Sequence, residues 1–290
     1  EIHSGDWSSD VCSSDLLMFA ATFTDAETHI FSKIKDLGFD AVEIALEKRG
    51  DLDYGKTVKE LESAGLDCSS VCGLFGEDRD IRGPNMEYVE IGKAYIKDLI
   101  DAAYALGAGQ VNGPLYSAVG RANLETVEAK NKQWETCKNS LRDLCNYAEK
   151  KNVYLALEPL NRFETDFINI CSQAKQMVDD VGSDRLGIHL DTFHMNIEEK
   201  SSADAVRLAG DKLFMLHTCE NDRGAAGTGQ VHWQEIAQAC REIGYDRYVV
   251  IEAFTPDMEV IAKAASVWRE TEPDAVTLAR KAVEFLKKTF

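Results

Sequence analysis

Four polar side chains stand where apolar runs end. "VYLALEP" closes on Glu158, "LGIHLD" on Asp191, "LFMLH" on His217 and "YVVIE" on Glu252. Each has an ordinary explanation when taken alone. A strand-end carboxylate often caps the next helix, and a lone histidine is often a hydrogen-bonded core residue. Together they are harder to dismiss, because three carboxylates converging in a low-dielectric site repel one another strongly unless a cation lies among them. Three carboxylates and an imidazole suit Mn²⁺, with Co²⁺ or Mg²⁺ as alternatives, better than they suit a structural zinc site. Four protein ligands leave two octahedral positions open for two adjacent substrate oxygens. The absence of a phosphate-cradling Gly loop or a Lys cluster points to a neutral, hydroxylated substrate.

The stretch "GIHLDTFHMN" shows the ambiguity in one place. Asp191 is either a metal ligand at a strand end or the cap of a turn, and nothing local decides between them. His189 lies inside the strand and reads as a core residue or an outer partner of the site.

These residues need a scaffold that brings separate strand ends to one mouth. From residue 17 onward, apolar runs alternate with amphipathic stretches. The runs are Leu17–Thr22, Ala41–Leu46, Asp67–Leu74, Gln110–Leu115, Val153–Leu157, Leu186–Leu190, Leu213–Thr218 and Tyr248–Ala253. Between them lie helical patterns such as "EYVEIGKAYIKDLIDAAYALG", apolar at Ile91, Tyr95, Ile96, Leu99 and Ala103. Gly38, Gly65, Gly107 and Gly244 follow helical patterns, where a left-handed cap ends a helix. Continuous apolar strands, each followed by a helix, indicate a parallel sheet covered on its outside. Eight such units predict an α/β protein, a single-domain (β/α)₈ TIM barrel with its functional groups at the C-terminal ends of the strands. The competing doubly wound sheet lacks its usual signature: "GAGQVNG" begins at a helix end and misses the GxGxxG spacing. No nucleotide cofactor is expected.

The first 16 residues, "EIHSGDWSSDVCSSDL", repeat Ser-Ser-Asp, begin without Met and hold no apolar core like that of a signal peptide. We read 1–16 as a non-native or disordered leader and 17–290 as the catalytic barrel.

The chain carries 50 acidic against 32 basic residues in 290, a net charge of −18. Such a surface repels phosphate backbones and anionic lipid, so neither nucleic acid nor membrane is an expected partner. No apolar run approaches the ~20 residues that a bilayer span needs. The eight cysteines form no CxxC pair, and reduced core thiols with a cytoplasmic location are expected.

"LEPLNRFETDFIN", "HLDTFHMNIEE", "HTCENDRGAAGTGQVHW" and "YVVIEAF" resemble the ketose 3-epimerases, the D-tagatose/D-psicose (D-allulose) 3-epimerase group of the xylose-isomerase-like barrels. The likeness runs from about Phe39 to the C-terminus. It implies metal ligands at Glu158, Asp191, His217 and Glu252, the four that the strand ends had selected. It also implies substrate contacts at Glu164, His194 and Arg223, with Cys72 near the sugar, and a homodimer or homotetramer. The family's first strand ends in aromatics that wall off the sugar tail. Here only Phe19 and Phe23 are candidates.

The implied reaction inverts C3 of a free ketose such as D-psicose, D-tagatose or D-fructose. A metal on the C2 carbonyl and C3 hydroxyl oxygens stabilises a cis-enediolate, and Glu158 and Glu252 act as paired acid and base. Arg223 and His194 offset the charge developing on oxygen. The alternatives are an aldose–ketose isomerase of the same fold and an inactive sugar-binding barrel. A His-rich phosphodiesterase barrel resembling endonuclease IV fits poorly with six histidines and this net charge.

Overall fold

The computed structural model describes residues 12–290. Eight parallel strands close into one barrel in chain order, β1 paired to both β2 and β8. They are β1 (Cys12–Asp15), β2 (Ala41–Leu46), β3 (Asp67–Gly73), β4 (Gln110–Gly113), β5 (Tyr154–Leu157), β6 (Leu186–Asp191), β7 (Leu213–Thr218) and β8 (Val249–Ile251). The helices follow as α1 (Phe31–Asp36), α2 (Tyr54–Ala64), α3 (Met86–Leu106), α4 (Val127–Lys150), α5 (Cys171–Val181), α6 (Thr192–Glu198), α7 (Ser202–Ala209), α8 (Trp233–Ile243), α9 (Glu259–Ala264) and α10 (Ala275–Thr289). Among the described residues, no helix is long and apolar enough to cross a membrane.

Strand alternation sorts side chains into two cores. On β6, Leu186, Ile188 and Leu190 join the large cluster between sheet and helices, and Leu155, Leu157, Val249 and Ile251 do the same on β5 and β8. Residues of the opposite parity fill the barrel. Ala156, Phe214, Met215 and Val250 form a plug, with Tyr154 and Tyr248 packed against it. Above this plug, the same inward faces of β5, β6, β7 and β8 lead to Glu158, Asp191, His217 and Glu252. The apolar interior therefore seals the floor beneath a polar mouth.

Two register shifts act on this polar layer. Across β2 and β3, Val42 pairs with Cys68 but Glu43 pairs with Ser70, so Ser69 is extra. Across β6 and β7, Ile188 pairs with Leu213 but His189 pairs with Met215, so Phe214 is extra. An extra residue re-aims its neighbours, and here the neighbours are Glu43 and His189. A Cβ on Gly187 would collide with the Phe214 ring, so glycine makes room for that ring.

The first strand departs from expectation. Leu17–Thr22 is not a strand; Leu16–Met18 is a short 3₁₀ turn. The strand is Cys12–Asp15, within the segment read as a leader, whose residues 1–11 lie outside the described residues. The apolar-run criterion fails there because the adjoining barrel interior is polar. Ser13 Oγ meets Ser69 Oγ at 2.7 Å, and Asp15 ends the strand by accepting from the Leu17 amide at 2.9 Å. Phe23 is buried and Phe19 half-buried. Within α3, Tyr95, Ile96, Leu99 and Ala103 are buried as expected, but Ile91 is exposed.

Candidate active site

Glu158 follows β5, its amide bonded to the Gly113 carbonyl at 3.0 Å, and Pro159 cannot extend the ladder. Its Oε2 lies 3.6 Å from His189 Nδ1 and its Oε1 lies 3.6 Å from His194 Nε2. Burial pushes its carboxyl well above the ordinary range, and the nearby charges of Glu252 and Asp191 add to the rise.

Asp191 ends β6 and does two jobs. Oδ1 caps α6 by accepting from the Phe193 amide at 2.8 Å, and Oδ2 faces the mouth, 2.7 Å from Arg223 Nη1. Cap and site residue are not exclusive readings when the two oxygens point different ways.

His217, on β7, is buried between carboxylates. Nε2 lies 3.0 Å from Glu43 Oε1, and Nδ1 lies 3.5 Å from Glu252 Oε2. Burial alone would depress this imidazole; Glu43 and Glu252 outweigh it and hold its pKa well above the ordinary value. Glu252 follows β8, its amide on the Thr218 carbonyl at 3.2 Å. Burial would raise its carboxyl, but Arg223 and His217 overcome that and hold it at about 2.

Arg223 reaches in from the loop after β7. Its backbone φ is +63°, a left-handed conformation that disfavours a long side chain. Two bonds close the turn around it: Arg223 N to Glu220 O and Glu220 N to Gly224 O, both 3.0 Å. Glu220 anchors the loop further, accepting from Gly227 N at 2.8 Å, Val231 N at 3.1 Å and Trp233 Nε1 at 2.6 Å. The guanidinium stacks 4.2 Å from the Phe193 ring centroid, while Nη1 bridges Asp191 Oδ2 at 2.7 Å and Glu252 Oε2 at 2.5 Å.

The remaining expected contacts surround this centre. His194, on α6, is buried, and burial takes its pKa down to about 3. Glu164 is half-buried and accepts from Asn161 Nδ2 at 2.7 Å; burial raises its carboxyl. Cys72, on β3, is buried beside Ala45 and Phe254, and burial, reinforced by Glu43, keeps its thiol protonated well above the usual range. The loops after β3, β4 and β5 are tied by a buried network: Asp80 meets Arg82 at 3.3 Å and Arg121 at 2.9 Å, and Arg82 meets Asp166 at 2.5 Å.

The donor set fits a divalent cation. His217 Nδ1 is buried with no hydrogen-bond partner among the described residues, and it faces a carboxylate. Asp191 and Glu252 already share one positive group, Arg223 Nη1. Ligand atoms of Glu158, His189 and His217 lie within 4.8 Å of one another, as do those of Glu158, Asp191 and His194, and those of Asp15, Glu43 and Cys72. Glu158 is common to the first two groups. Glu252 joins neither; it reaches the others through His217 and Arg223.

The profile of the xylose isomerase-like TIM barrel family matches residues 31–289. The chain is 33% identical to the D-psicose 3-epimerase of Enterocloster bolteae over 92% of this chain and 91% of that protein. It is 30% identical to the L-ribulose 3-epimerase of Mesorhizobium japonicum, over 98% of this chain and 92% of that protein. The chain belongs to the xylose isomerase-like TIM barrels, in their ketose 3-epimerase group. Among solved structures, an L-ribulose 3-epimerase superposes with a TM-score of 0.89 at 29% identity, covering 96% of this chain and 93% of that one. The D-allulose 3-epimerase of Methylomonas sp., in complex with D-allulose, gives 0.89 at 28% identity, covering 97% and 98%.

This ketose 3-epimerase relative also holds polar residues that the sequence reading passed over. Glu43 is fully buried on β2, taking Ser70 Oγ at 2.5 Å and Asn112 Nδ2 at 2.8 Å besides its contact with His217. A charge inside "AVEIAL" was the available signal, because an unpaired buried carboxylate is rare. Asn161 lies within "LEPLNRFETDFIN", where nothing in the sequence gives it a role. Its contacts appear only once β5 and α6 are side by side.

Proposed function

We propose that this chain epimerises a free ketose at C3 with the help of one divalent metal, Mn²⁺ first and Co²⁺ or Mg²⁺ as alternatives. The observation that carries the reading is the convergence of Glu158, Asp191, His217 and Glu252 on one mouth, in a chain of the ketose 3-epimerase group. Glu158 and Glu252, carboxyl groups on two different strand ends at that mouth, are suited to act as acid and base in one reaction.

Glu158, Asp191, His217 and Glu252 would hold the metal. When bound, it supplies Lewis acidity to the C2 and C3 oxygens of the sugar. The ionised Glu252 takes the C3 proton; the C–H electrons form a C2–C3 double bond, and the C2 carbonyl oxygen becomes an oxyanion. Glu158 then gives its proton to the opposite face of C3 as the carbonyl reforms. The roles exchange when the reaction runs backward. Arg223 and His194 offset charge on the oxygens, Glu164 holds a hydroxyl, and Cys72 with Phe254 contributes an apolar wall.

The test is sugar analysis after incubating a ketohexose and ketopentose panel with Mn²⁺ in deuterated water. C3 epimers carrying deuterium at C3 support the reading. Aldose products would reassign the chain as an aldose–ketose isomerase, and an unchanged panel would mark it as a binder.

A further inference from the structure

His194 has a partner that determines which of its nitrogens carries the proton. The backbone amide of Asn161 donates to His194 Nδ1 at 3.2 Å, and Asn161 Nδ2 lies 3.0 Å from the same nitrogen. The side-chain amide is itself oriented, because its Oδ1 accepts from the Phe163 amide at 2.9 Å. That leaves Nδ2 pointing at His194 and at Glu164 Oε1, 2.7 Å away. Asn161 is buried, and its own carbonyl closes the turn by accepting from the Glu164 amide at 3.0 Å.

A ring nitrogen that accepts from a backbone N–H has no proton of its own, so a neutral imidazole must carry its proton on the other nitrogen. Nε2–H then faces Glu158 Oε1 and Asp191 Oδ2, each 3.6 Å away. Arg223 Nη2, 3.4 Å from Nε2, can only donate and opposes an Nε2–H, but the two Asn161 donors at 3.2 and 3.0 Å oppose an Nδ1–H more closely. We infer that Asn161 is a positioning residue that fixes His194 as an Nε2–H donor into the mouth, ties Glu164 to it, and so removes His194 from the set of metal ligands. Ligation through Nε2 would require the proton on Nδ1, where it would confront the Asn161 amide donor to donor. The proximity of Glu158, Asp191 and His194 is thus a substrate-oxygen site and not a second metal triad. His217 has the opposite arrangement, with Nε2 at Glu43 and Nδ1 open to the mouth.

The kinetic part of this inference rests on the epimerase reading; the tautomer part does not. The test is ¹⁵N NMR of the imidazole nitrogens in histidine-labelled, substrate-free protein with and without Mg²⁺, with His194→Gln to assign the signal. The expected result is an unprotonated Nδ1 and a protonated Nε2 that Mg²⁺ leaves unchanged. Asn161→Asp keeps the backbone amide on Nδ1 but replaces the side-chain donor with a carboxylate facing Glu164, so the tautomer should stay while kcat/KM falls by about 10–100-fold. Asn161→Ala keeps the backbone amide, so the tautomer should stay while KM for the ketose rises through loss of the Glu164 contact. A wild-type Nδ1–H tautomer, or a Mg²⁺-induced shift of His194 Nε2, overturns the inference. So do unchanged kinetics in the Asn161→Asp variant. A spectrum as stated in a protein that turns over no sugar would instead overturn the epimerase reading alone.

Discussion

His217 Nε2 lies 3.0 Å from Glu43 Oε1, and both side chains are buried. A carboxylate at Nε2 holds a proton there, so Nδ1, which faces Glu252, is the nitrogen left for a metal. Outer carboxylates of this kind orient a ligating histidine and increase its basicity. Glu43→Gln should therefore weaken Mn²⁺ binding by about 10–100-fold. Titration calorimetry reads this directly, and an unchanged affinity would remove Glu43 from the metal's support.

Metal should also stabilise the fold, because an ordered cluster of buried carboxylates exists only in the native state. At a free Mn²⁺ concentration of about 100 times Kd, linkage gives roughly 2.7 kcal/mol. Thermal melts with Mn²⁺ and with excess chelator should differ accordingly. Chelator should also abolish turnover, and full activity in its presence would sink the metal reading.

The two glutamates should be separable from the fold. Glu158→Gln and Glu252→Gln are each expected to lose at least ~100-fold in C3 proton exchange, with circular dichroism unchanged. Exchange at the wild-type rate in either variant would refute its assignment as acid or base.

Stability of the metal-free protein should depend on pH in a direction set by Glu158. Its folded pKa lies above the ordinary 4.5, so the native state keeps a proton that the unfolded chain releases. Unfolding free energy from this group therefore falls as pH rises from about 4.5 through the raised folded value, and levels off above it. Glu252 has the opposite sign: held at about 2, it loses its contribution as pH falls from 4.5 toward 2. Melting curves from pH 4.5 upward should show a shallower decline for Glu158→Gln than for wild type. Parallel declines would contradict the raised pKa.

The barrel floor offers a packing test. Gly187→Ala drives a methyl group into the Phe214 ring, and overpacking of this kind costs about 1–3 kcal/mol. Urea unfolding should show that loss in its midpoint; an unchanged midpoint would mean that the ring moves freely.

Much of this architecture was legible because burial on both faces makes a strand read as an apolar run. Ala41–Leu46 and Leu213–Thr218 have the bounds read from sequence, and the polar residues ending four runs lie at one mouth. The first strand was missed for the same physical reason in reverse. "CSSD" is polar, yet Ser13 faces the polar interior lined by Ser69, and Ser14 donates to Met18 Sδ at 3.7 Å. Asp191 reads in the sequence as either a cap or a site residue, and in the structure Oδ1 caps α6 while Oδ2 faces Arg223. Glu43 and Asn161 stayed hidden because their significance lies in a partner's tautomer, set by contacts between strands and helices far apart in the chain.

The most direct measurement is NMR of a ketohexose, D-psicose or D-fructose, incubated with the Mn²⁺-loaded protein in deuterated water. C3 epimerisation requires conversion to the C3 epimer with one deuterium at C3 and none at C1. Deuterium at C1 with an aldose product, or no exchange at either carbon across the panel, would contradict it.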